Sequence, residues 1–444
     1  MRQIFFIASF YFCISLLIAQ PGDSIITRLK FINKQITIKP CNSVNAAAIS
    51  NRAMNVFLAD KTGYVSESGD LSFYTNYVTL NTSEGKFTIN HNFQKVKGID
   101  EPIQKLLSIG ISVNIANSFT ATFLDKQFEN ELGLTINYKW IGKVKTHFAP
   151  CVQSQNGGNQ KQAMDALRAA ILHSLEMEIH KKEVDFKVAL NRIDTTDVPA
   201  QNIDKAREVI QQNFYEDLQE TYEEKSATQQ AEVLTKTQNF KLINTYWTSF
   251  TAYIPLAFPK YTVAQSLTSA LQEKHSYPLQ LILSHTRFWE SSKAGRIFFT
   301  LNGNMLFNNS KLGSALNKVT LAAYKNLGGT DTIHLANFKN DRAYIGSYET
   351  FVTPSLKARI VYYPTGSHVG ISFLAEQNFG RYNVLNGRLG MPIVLINSKK
   401  TPAVNFEIYV LFFDMNNKIK QAEKFGNKTS IGLEVGIPFS RLMY

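Results

Sequence analysis

The sequence predicts an all-β fold with a helical insert, namely an antiparallel transmembrane β-barrel of about 12–14 strands. Three observations predict it: an apolar segment at the start, long strands that alternate between an apolar and a polar face, and one region with helical periodicity. The composition agrees, because only 18% of the 444 residues are charged, against about 25% in soluble domains. The 12% of aromatic residues would suit aromatic girdles at two membrane interfaces.

The first 19 residues are predicted to be a secretory signal peptide. Met1 and Arg2 give a positive start, Ile4–Ile18 is an almost unbroken apolar run, and Ala19 supplies a small residue for cleavage. An uncleaved membrane anchor is the less favoured alternative, because the run is shorter than the roughly 20 residues that a helical span needs. The sequence therefore predicts an exported chain.

Residues 20–70 form an N-terminal segment without a clear period, and three structures remain open for it: a cap, a plug or early strands. This segment contains Cys41, and Cys151 lies further along the chain. Since both cysteines would reach an oxidising compartment, they could form a disulfide, or both could remain free thiols. A disulfide would require the two Cα atoms to lie within about 7 Å of each other.

Period-2 alternation dominates residues 71–156 and 241–444, which are predicted to be the two parts of the barrel. The clearest segments have one bulky apolar face, and they are Leu107–Ile115, Leu132–Trp140, Val404–Val410 and Ile431–Phe439. A soluble β-sandwich also alternates. We favour the barrel because strands of about 9–11 residues span a bilayer, and because aromatic residues gather at the strand ends.

The connections near the C-terminus alternate in length. Pro364–Ser367 and Asn397–Lys400 are short, as periplasmic turns are. Residues 378–387 and 414–428 are long and polar, as outer loops are. This alternation favours a barrel with its short turns on one side of a membrane.

Residues 157–240 are predicted to be a helical hairpin inserted in the barrel. Two apolar stripes at helical spacing, over 164–179 and 203–222, are separated by a break at Thr196–Pro199. The stripes could pack on each other, line a groove or close one mouth of the barrel. The insert is therefore a candidate binding module.

Several charged residues share the parity of the polar strand face, so we expect them to face the lumen. They are Lys139, Arg296, Arg359, Glu376, Arg388, Glu407 and Glu434. Opposite charges in a lumen could form a transverse field that selects permeants by charge. Alternatively, the same charges could pair and fill a narrow interior, because unpaired buried charges are costly. The second interpretation is slightly favoured.

The sequence predicts no enzyme, no catalytic residues, no cofactor and no metal. Ser284 and His285 are adjacent on a strand and so point to opposite faces, which excludes them as a nucleophile and its base. His173, Glu176 and His180 share one helical face, but a plain polar face is favoured over a zinc site. The net charge of +12 comes from scattered Lys and Arg, which argues against nucleic acid as a partner.

These features together resemble outer-membrane β-barrel proteins of the Bacteroidota type. The resemblance is carried by the signal ending Ile18–Gln20, by the alternating strands over about 70–439, and by the last strand. It implies a Gram-negative outer membrane, with lipid and lipopolysaccharide around the wall. It also implies a barrel-insertion machinery that reads a terminal aromatic residue, for which Phe439 has the parity of the apolar face and Tyr444 the opposite parity.

Two functions are expected from the sequence. The first is a passive pore or small-solute transporter, because the inner face is polar and small. The alternative is a structural or interaction component of an envelope, adhesion or secretion assembly. In that case the helical insert would bind an envelope protein.

Overall fold

The structure is a computed structural model that describes just over half of the chain. The described ranges are 50–62, 75–81, 86–93, 102–114, 132–148, 184–188, 200–238, 240–256, 260–265, 272–307, 317–321, 341–345, 348–396, 402–418 and 429–441. The predicted signal peptide, both cysteines of the predicted disulfide, the first helical stripe with its His and Glu residues, and Tyr444 lie outside the described residues.

Twelve of the described strands close into an antiparallel barrel, which confirms the predicted fold class. Numbered in chain order, the strands of the wall are β1 Thr75–Asn81, β2 Lys86–Phe93, β3 Lys105–Asn114, β4 Leu132–Ile141, β6 Phe240–Pro255, β9 Gln280–Ser291, β10 Gly295–Phe307, β13 Val352–Tyr363, β14 Ile371–Asn378, β15 Leu385–Ile396, β16 Pro402–Phe412 and β17 Thr429–Arg441. The order around the wall is β1-β2-β3-β4-β6-β9-β10-β13-β14-β15-β16-β17, and β17 pairs with β1.

Five further strands lie beyond this wall. β5, Lys145–Phe148, pairs with β6 past the end of β4. The other four are β7 Lys260–Ala264, β8 Gln272–His275, β11 Asn317–Leu321 and β12 Asp341–Ile345. They lie in two long connections and form a second sheet in the order β11-β12-β7-β8, in which the β12–β7 pair is parallel. A 3-10 turn at Gly380–Tyr382 joins β14 to β15.

The two ends of the barrel differ in their connections. At the helix end, where β4 ends and β6 begins, residues 292–294, 364–370 and 397–401 form short links, and residues 142–239, which contain α2, form one very long link. At the opposite end, which we call the loop end, residues 256–279 and 308–351 form long links. The second sheet belongs to the loop end, because its strands lie in those two links.

The side chains of the wall alternate as the period-2 pattern predicts. Inward-facing Ser, Thr and Asn side chains are buried, whereas large apolar side chains face outward and are exposed. Examples on the outer surface are Ile111, Phe373, Leu389, Ile408 and Ile431. An outer surface of this kind matches lipid better than water.

Two described helices have defined bounds: α1, Asn51–Thr62, and α2, Ala200–Thr237. Pro199 directly precedes α2, in keeping with the predicted restart of the hairpin. Residues 184–188 are also helical, and the Phe186 ring stacks on the Phe214 ring of α2 at 4.5 Å. Among the described helices, none is both long and apolar enough to span a membrane.

Candidate functional site: the lumen and its helical plug

Helix α1 is seated in the mouth of the barrel at the helix end. Its Ala53, Phe57 and Leu58 side chains are fully buried, and the Phe57 ring meets Phe240 edge-on at 5.9 Å. The inward apolar residues around it form one cluster with α1, and they are Leu106, Ile141, Ile243, Trp247, Phe288, Phe298, Val361, Tyr363 and Val394. Because these residues come from seven of the twelve strands, α1 occupies this mouth.

The last turns of α2 pack on α1, which we call the plug. Ala227, Ala231 and Leu234 of α2 are buried in the same cluster as α1. The backbone amide of Ser50, just before α1, donates a hydrogen bond of 3.0 Å to Oε1 of Gln230 in α2. The small alanine side chains let the two helices approach closely. The helical insert is thus in direct contact with the helix that occupies the mouth of the barrel.

One polar contact ties the plug to the barrel wall. Lys61 Nζ of α1 lies 3.9 Å from Glu290 Oε1, and Arg296 Nε donates to Glu290 Oε2 at 2.7 Å. Burial, followed by repulsion from Arg296, lowers the pKa of Lys61 from 10.5 to about 8, although Glu290 and Asp60 act in the opposite direction. The plug therefore places a Lys61 ammonium in the mouth, where burial and repulsion from Arg296 disfavour its charged form.

Deeper in the lumen, four charged side chains form one network. Arg359 Nη2 lies 2.5 Å from Glu407 Oε2, and Arg388 Nη2 lies 2.8 Å from the same atom. Arg388 Nη2 also reaches Glu434 Oε2 at 3.2 Å, and the Ser372 hydroxyl donates to Glu407 Oε1. All four charged residues are at most 6% exposed. Burial of this degree is tolerable because each charge has a partner.

The strand register explains how the network fits. Glu407 and Glu434 face each other across β16 and β17, so the Arg388 guanidinium neutralises two adjacent carboxylates. A Cβ at Gly390 would lie 2.1 Å from Glu407 Oε1, so only glycine leaves room for that carboxylate. The Arg388 guanidinium also lies 4.2 Å from the centre of the Tyr409 ring.

The lumen has two chemically different walls. We call the inward charged residues of β9 to β17 the charged wall; they are Glu290, Arg296, Lys357, Arg359, Glu376, Arg388, Glu407 and Glu434. The neutral wall is the inward polar set of β1 to β6, namely Thr79, Thr88, Asn90, Asn92, Ser108, Ser112, Asn137, Ser249 and Thr251. Among the described side chains that are buried on the neutral side, Lys139 is charged, and it is 1% exposed.

Neighbouring strands of the neutral wall are linked by short side-chain hydrogen bonds. The Thr88 and Ser112 hydroxyls lie 3.1 Å apart, and Asn137 Nδ2 donates to Thr251 Oγ1 at 2.5 Å. Each link joins two adjacent strands, in contrast to the charged network, which spans β13 to β17. The neutral wall is therefore a series of local pairs.

All seven charged residues singled out in the sequence lie on the inner side of the wall. The structure brings Arg359, Arg388, Glu407 and Glu434 together, whereas Arg296 lies in the mouth. The remaining two are Lys139, on the neutral side, and Glu376, which accepts a 3.3 Å hydrogen bond from Asn386.

Sequence reasoning missed Glu290, Ser372 and Tyr409. Each has the parity of the polar strand face. Glu290 shares the parity of Ser284, which could have shown that it faces inward.

Ser284 and His285 point to opposite faces, as their adjacency requires. Ser284 Oγ donates to Asn302 Oδ1 at 2.6 Å inside the lumen. His285 Nδ1 lies 2.9 Å from Thr248 Oγ1 on the outer surface. Among the described residues, no group of three or more His, Cys, Asp or Glu side chains could hold a metal ion.

Comparison with known proteins gives only weak similarity. No family model matches the chain, and no curated protein matches it. OmpT with loop L8 deleted, an outer membrane protein of Vibrio cholerae, is 5% identical, with a TM-score of 0.22, over 82% of this chain and 97% of its own. A mutant of the Rh. blastica porin is 8% identical, with a TM-score of 0.18, over 82% of this chain and 99% of its own. The barrel assignment rests on the closed strand pairing instead.

Proposed function

We propose that this chain is an outer-membrane β-barrel that conducts small polar solutes only when helix α1 leaves its mouth. The observation that carries the proposal is the burial of Phe57 and Leu58 among inward-facing wall residues. A polar interior inside an apolar exterior is the arrangement of barrels that enclose a conduit. The seated helix makes the resting state a closed one.

The connection lengths support an orientation for the barrel. Short turns of membrane barrels face the periplasm and long loops face outward. Apart from residues 142–239, which carry α2, the links at the helix end have at most 11 residues, so α1 and α2 would lie in the periplasm. The second sheet, formed by β7, β8, β11 and β12, would then face the exterior. Export by the signal peptide and assembly by a barrel-insertion machinery belong to the same proposal.

Planar-bilayer conductance tests the proposal. The double variant Phe57→Ala with Leu58→Ala removes two buried side chains, each of which contributes about 2–5 kcal/mol to packing. We expect the wild type to be closed for most of a recording and the double variant to show frequent, repeated openings. Val209→Ala, on an exposed part of α2, is the matched control and should behave as the wild type.

Two results would contradict the proposal. One is a double variant that stays silent although it shows the heat-dependent gel shift of a folded barrel, because its lumen would then be filled by the wall itself. The other is release of the wild type from membranes by a carbonate wash, which would remove the outer-membrane assignment altogether.

A second function is favoured by one observation, the contact between α2 and the plug. A closed barrel could serve as an anchor for the helical insert, which would bind an envelope protein and act on α1 through Gln230. Deletion of residues 157–222 would leave the part of α2 that packs on α1. Loss of cross-linking to an envelope protein, with unchanged conductance, would favour this anchor function over solute passage.

A further inference from the structure

The outer surface of the barrel carries a polar patch between β6 and β9. The patch consists of Tyr246 and Thr248 of β6 together with His285 and Arg287 of β9. Tyr246 is opposite Arg287 in the register, and Thr248 is opposite His285. The Thr248 hydroxyl and His285 Nδ1 are 2.9 Å apart, and the Tyr246 and His285 rings are 5.7 Å apart. These contacts join Tyr246, Thr248 and His285, and the strand register places Arg287 beside them.

On the β10 side of this patch the outward face is apolar. On the next strand the outward neighbours of the patch are Phe299 and Leu301, and the outward residues beyond them include Ile360 and Phe373. A histidine and an arginine on such a face are costly unless they meet a polar partner. The patch is thus a local departure from the pattern of the whole wall.

Arg287 is the charged residue of the patch, and its guanidinium can bind an anionic ligand. Its side chain is exposed on the outer surface, and among the described residues no carboxylate forms an ion pair with it. A guanidinium on a lipid-facing wall finds its counter-ion in a lipid phosphate, to which it can donate two parallel hydrogen bonds. The Tyr246 hydroxyl beside it is a further donor.

The neighbouring aromatic residues set the depth of the patch. Trp140 of β4 pairs with Thr248, is 45% exposed, and has the Tyr138 ring 4.7 Å away. Exposed Trp and Tyr mark the interface between headgroups and acyl chains. Arg287 is four residues from the end of β9, or about 10 Å along the axis of a tilted strand. Its long side chain can therefore reach the headgroup layer.

The two deeper residues suit the next part of a lipid molecule. When His285 Nδ1 accepts from the Thr248 hydroxyl, Nε2 carries the proton and can donate. Ester carbonyl oxygens of a phospholipid lie below its phosphate, on the acyl-chain side. The patch thus offers a cation at the level of the phosphate and a donor at the level of the esters.

We propose that this patch binds the phosphate of an anionic phospholipid in the leaflet at the helix end. The assignment rests on the proposed insertion of the barrel in the outer membrane. It adds a lipid-binding site on the outer wall, separate from the lumen and its plug. Arg287 pairs with the phosphate, Tyr246 adds a hydrogen bond, and the Thr248–His285 pair contacts the ester region.

Lipid retention by the full chain tests the site. The folded barrel is placed in nanodiscs of phosphatidylcholine with a small fraction of phosphatidylglycerol, extracted, and analysed by native mass spectrometry. We expect the wild type to retain phosphatidylglycerol and Arg287→Gln to lose at least about tenfold in apparent affinity, as for a lost charge-assisted hydrogen bond. Arg287→Lys should fall between them. Arg207→Gln, on α2 away from the wall, is the matched control and should retain the lipid.

Three outcomes would overturn the site. These are equal retention of phosphatidylglycerol by the wild type and Arg287→Gln, equal retention of phosphatidylcholine and phosphatidylglycerol, and full displacement of the lipid by millimolar inorganic phosphate. The last would indicate a free-phosphate site instead. Failure of the wild type to enter nanodiscs would refute the proposed membrane barrel itself, whereas inserted protein without lipid selectivity would refute only the site.

Discussion

The charged wall and the neutral wall of the lumen both contain buried polar groups, but they provide partners for these groups in different ways. The neutral wall satisfies them by pairs such as Thr88 with Ser112, on adjacent strands. The charged wall uses one network in which Glu407 serves two arginines from two other strands. This difference implies that one neutral pair can be removed without affecting the others, whereas removal of one charged residue leaves other buried charges of the network without a partner.

The largest expected effect is on the network. Glu407→Gln removes the carboxylate shared by Arg359 and Arg388 and leaves buried positive charge in excess. We expect a loss of about 3–5 kcal/mol in the free energy of unfolding, measured by urea titration of the folded barrel in lipid. Glu349→Gln removes an exposed ion pair with Arg381 at the loop end and should change stability by less than about 1 kcal/mol. Equal effects of the two variants would show that the network is no stronger than a surface pair.

The next effect concerns Lys61, which links the charged wall to the plug. Because its pKa is lowered from 10.5 to about 8, the unfolded chain binds this proton more tightly than the folded chain does. The stability that Lys61 contributes is therefore lowest below pH 8 and rises up to about pH 10.5. Relative to Lys61→Met, which does not titrate there, the wild type should gain at most about 3 kcal/mol over this range.

Urea unfolding of both proteins at several pH values measures this difference, in which the other titrating groups cancel. A difference that stays flat, or that falls as the pH rises, would contradict the buried position of the Lys61 ammonium beside Arg296.

The smallest effect is expected on the neutral wall. Thr88→Val with Ser112→Ala removes both partners of one hydrogen bond and replaces them with apolar groups of similar shape. Because both partners of the hydrogen bond are removed, neither is left buried without a partner. We therefore expect the free energy of unfolding, measured by the same urea titration, to change by less than about 1 kcal/mol. A loss as large as that of Glu407→Gln would mean that the two walls do not differ as described.

Much of the wall could be predicted from the sequence because parity is a local property. Alternation over Leu132–Trp140 is enough to assign Lys139 to the inner face, and the same holds for Glu407. The contacts of Glu407 could not be predicted, because its partners Arg359 and Arg388 are brought close only by the register of four strands. The local alternation pattern does not determine which strands pair or in which register.

The plug and the outer patch show the same limit. Ala53 and Phe57, like Met54 and Leu58, have helical spacing, but a segment of 12 residues is too short to stand out between segments without a clear period. The Thr248–His285 pair depends on β6 and β9 being neighbours, although about 25 residues separate the two strands along the chain. The apolar stripe of the second helix was visible, but its continuation to Thr237 in the mouth was not.

The position of α1 just before β1 has a consequence for how the mouth closes. Thr62 and Thr75 are joined by a short stretch of chain, which can extend to at most about 45 Å. The plug is therefore a covalently tethered ligand of its own barrel, with an effective concentration of the order of millimolar. A displaced α1 remains near its binding site, so that weakened packing is expected to produce brief, repeated openings and not permanent loss of the plug.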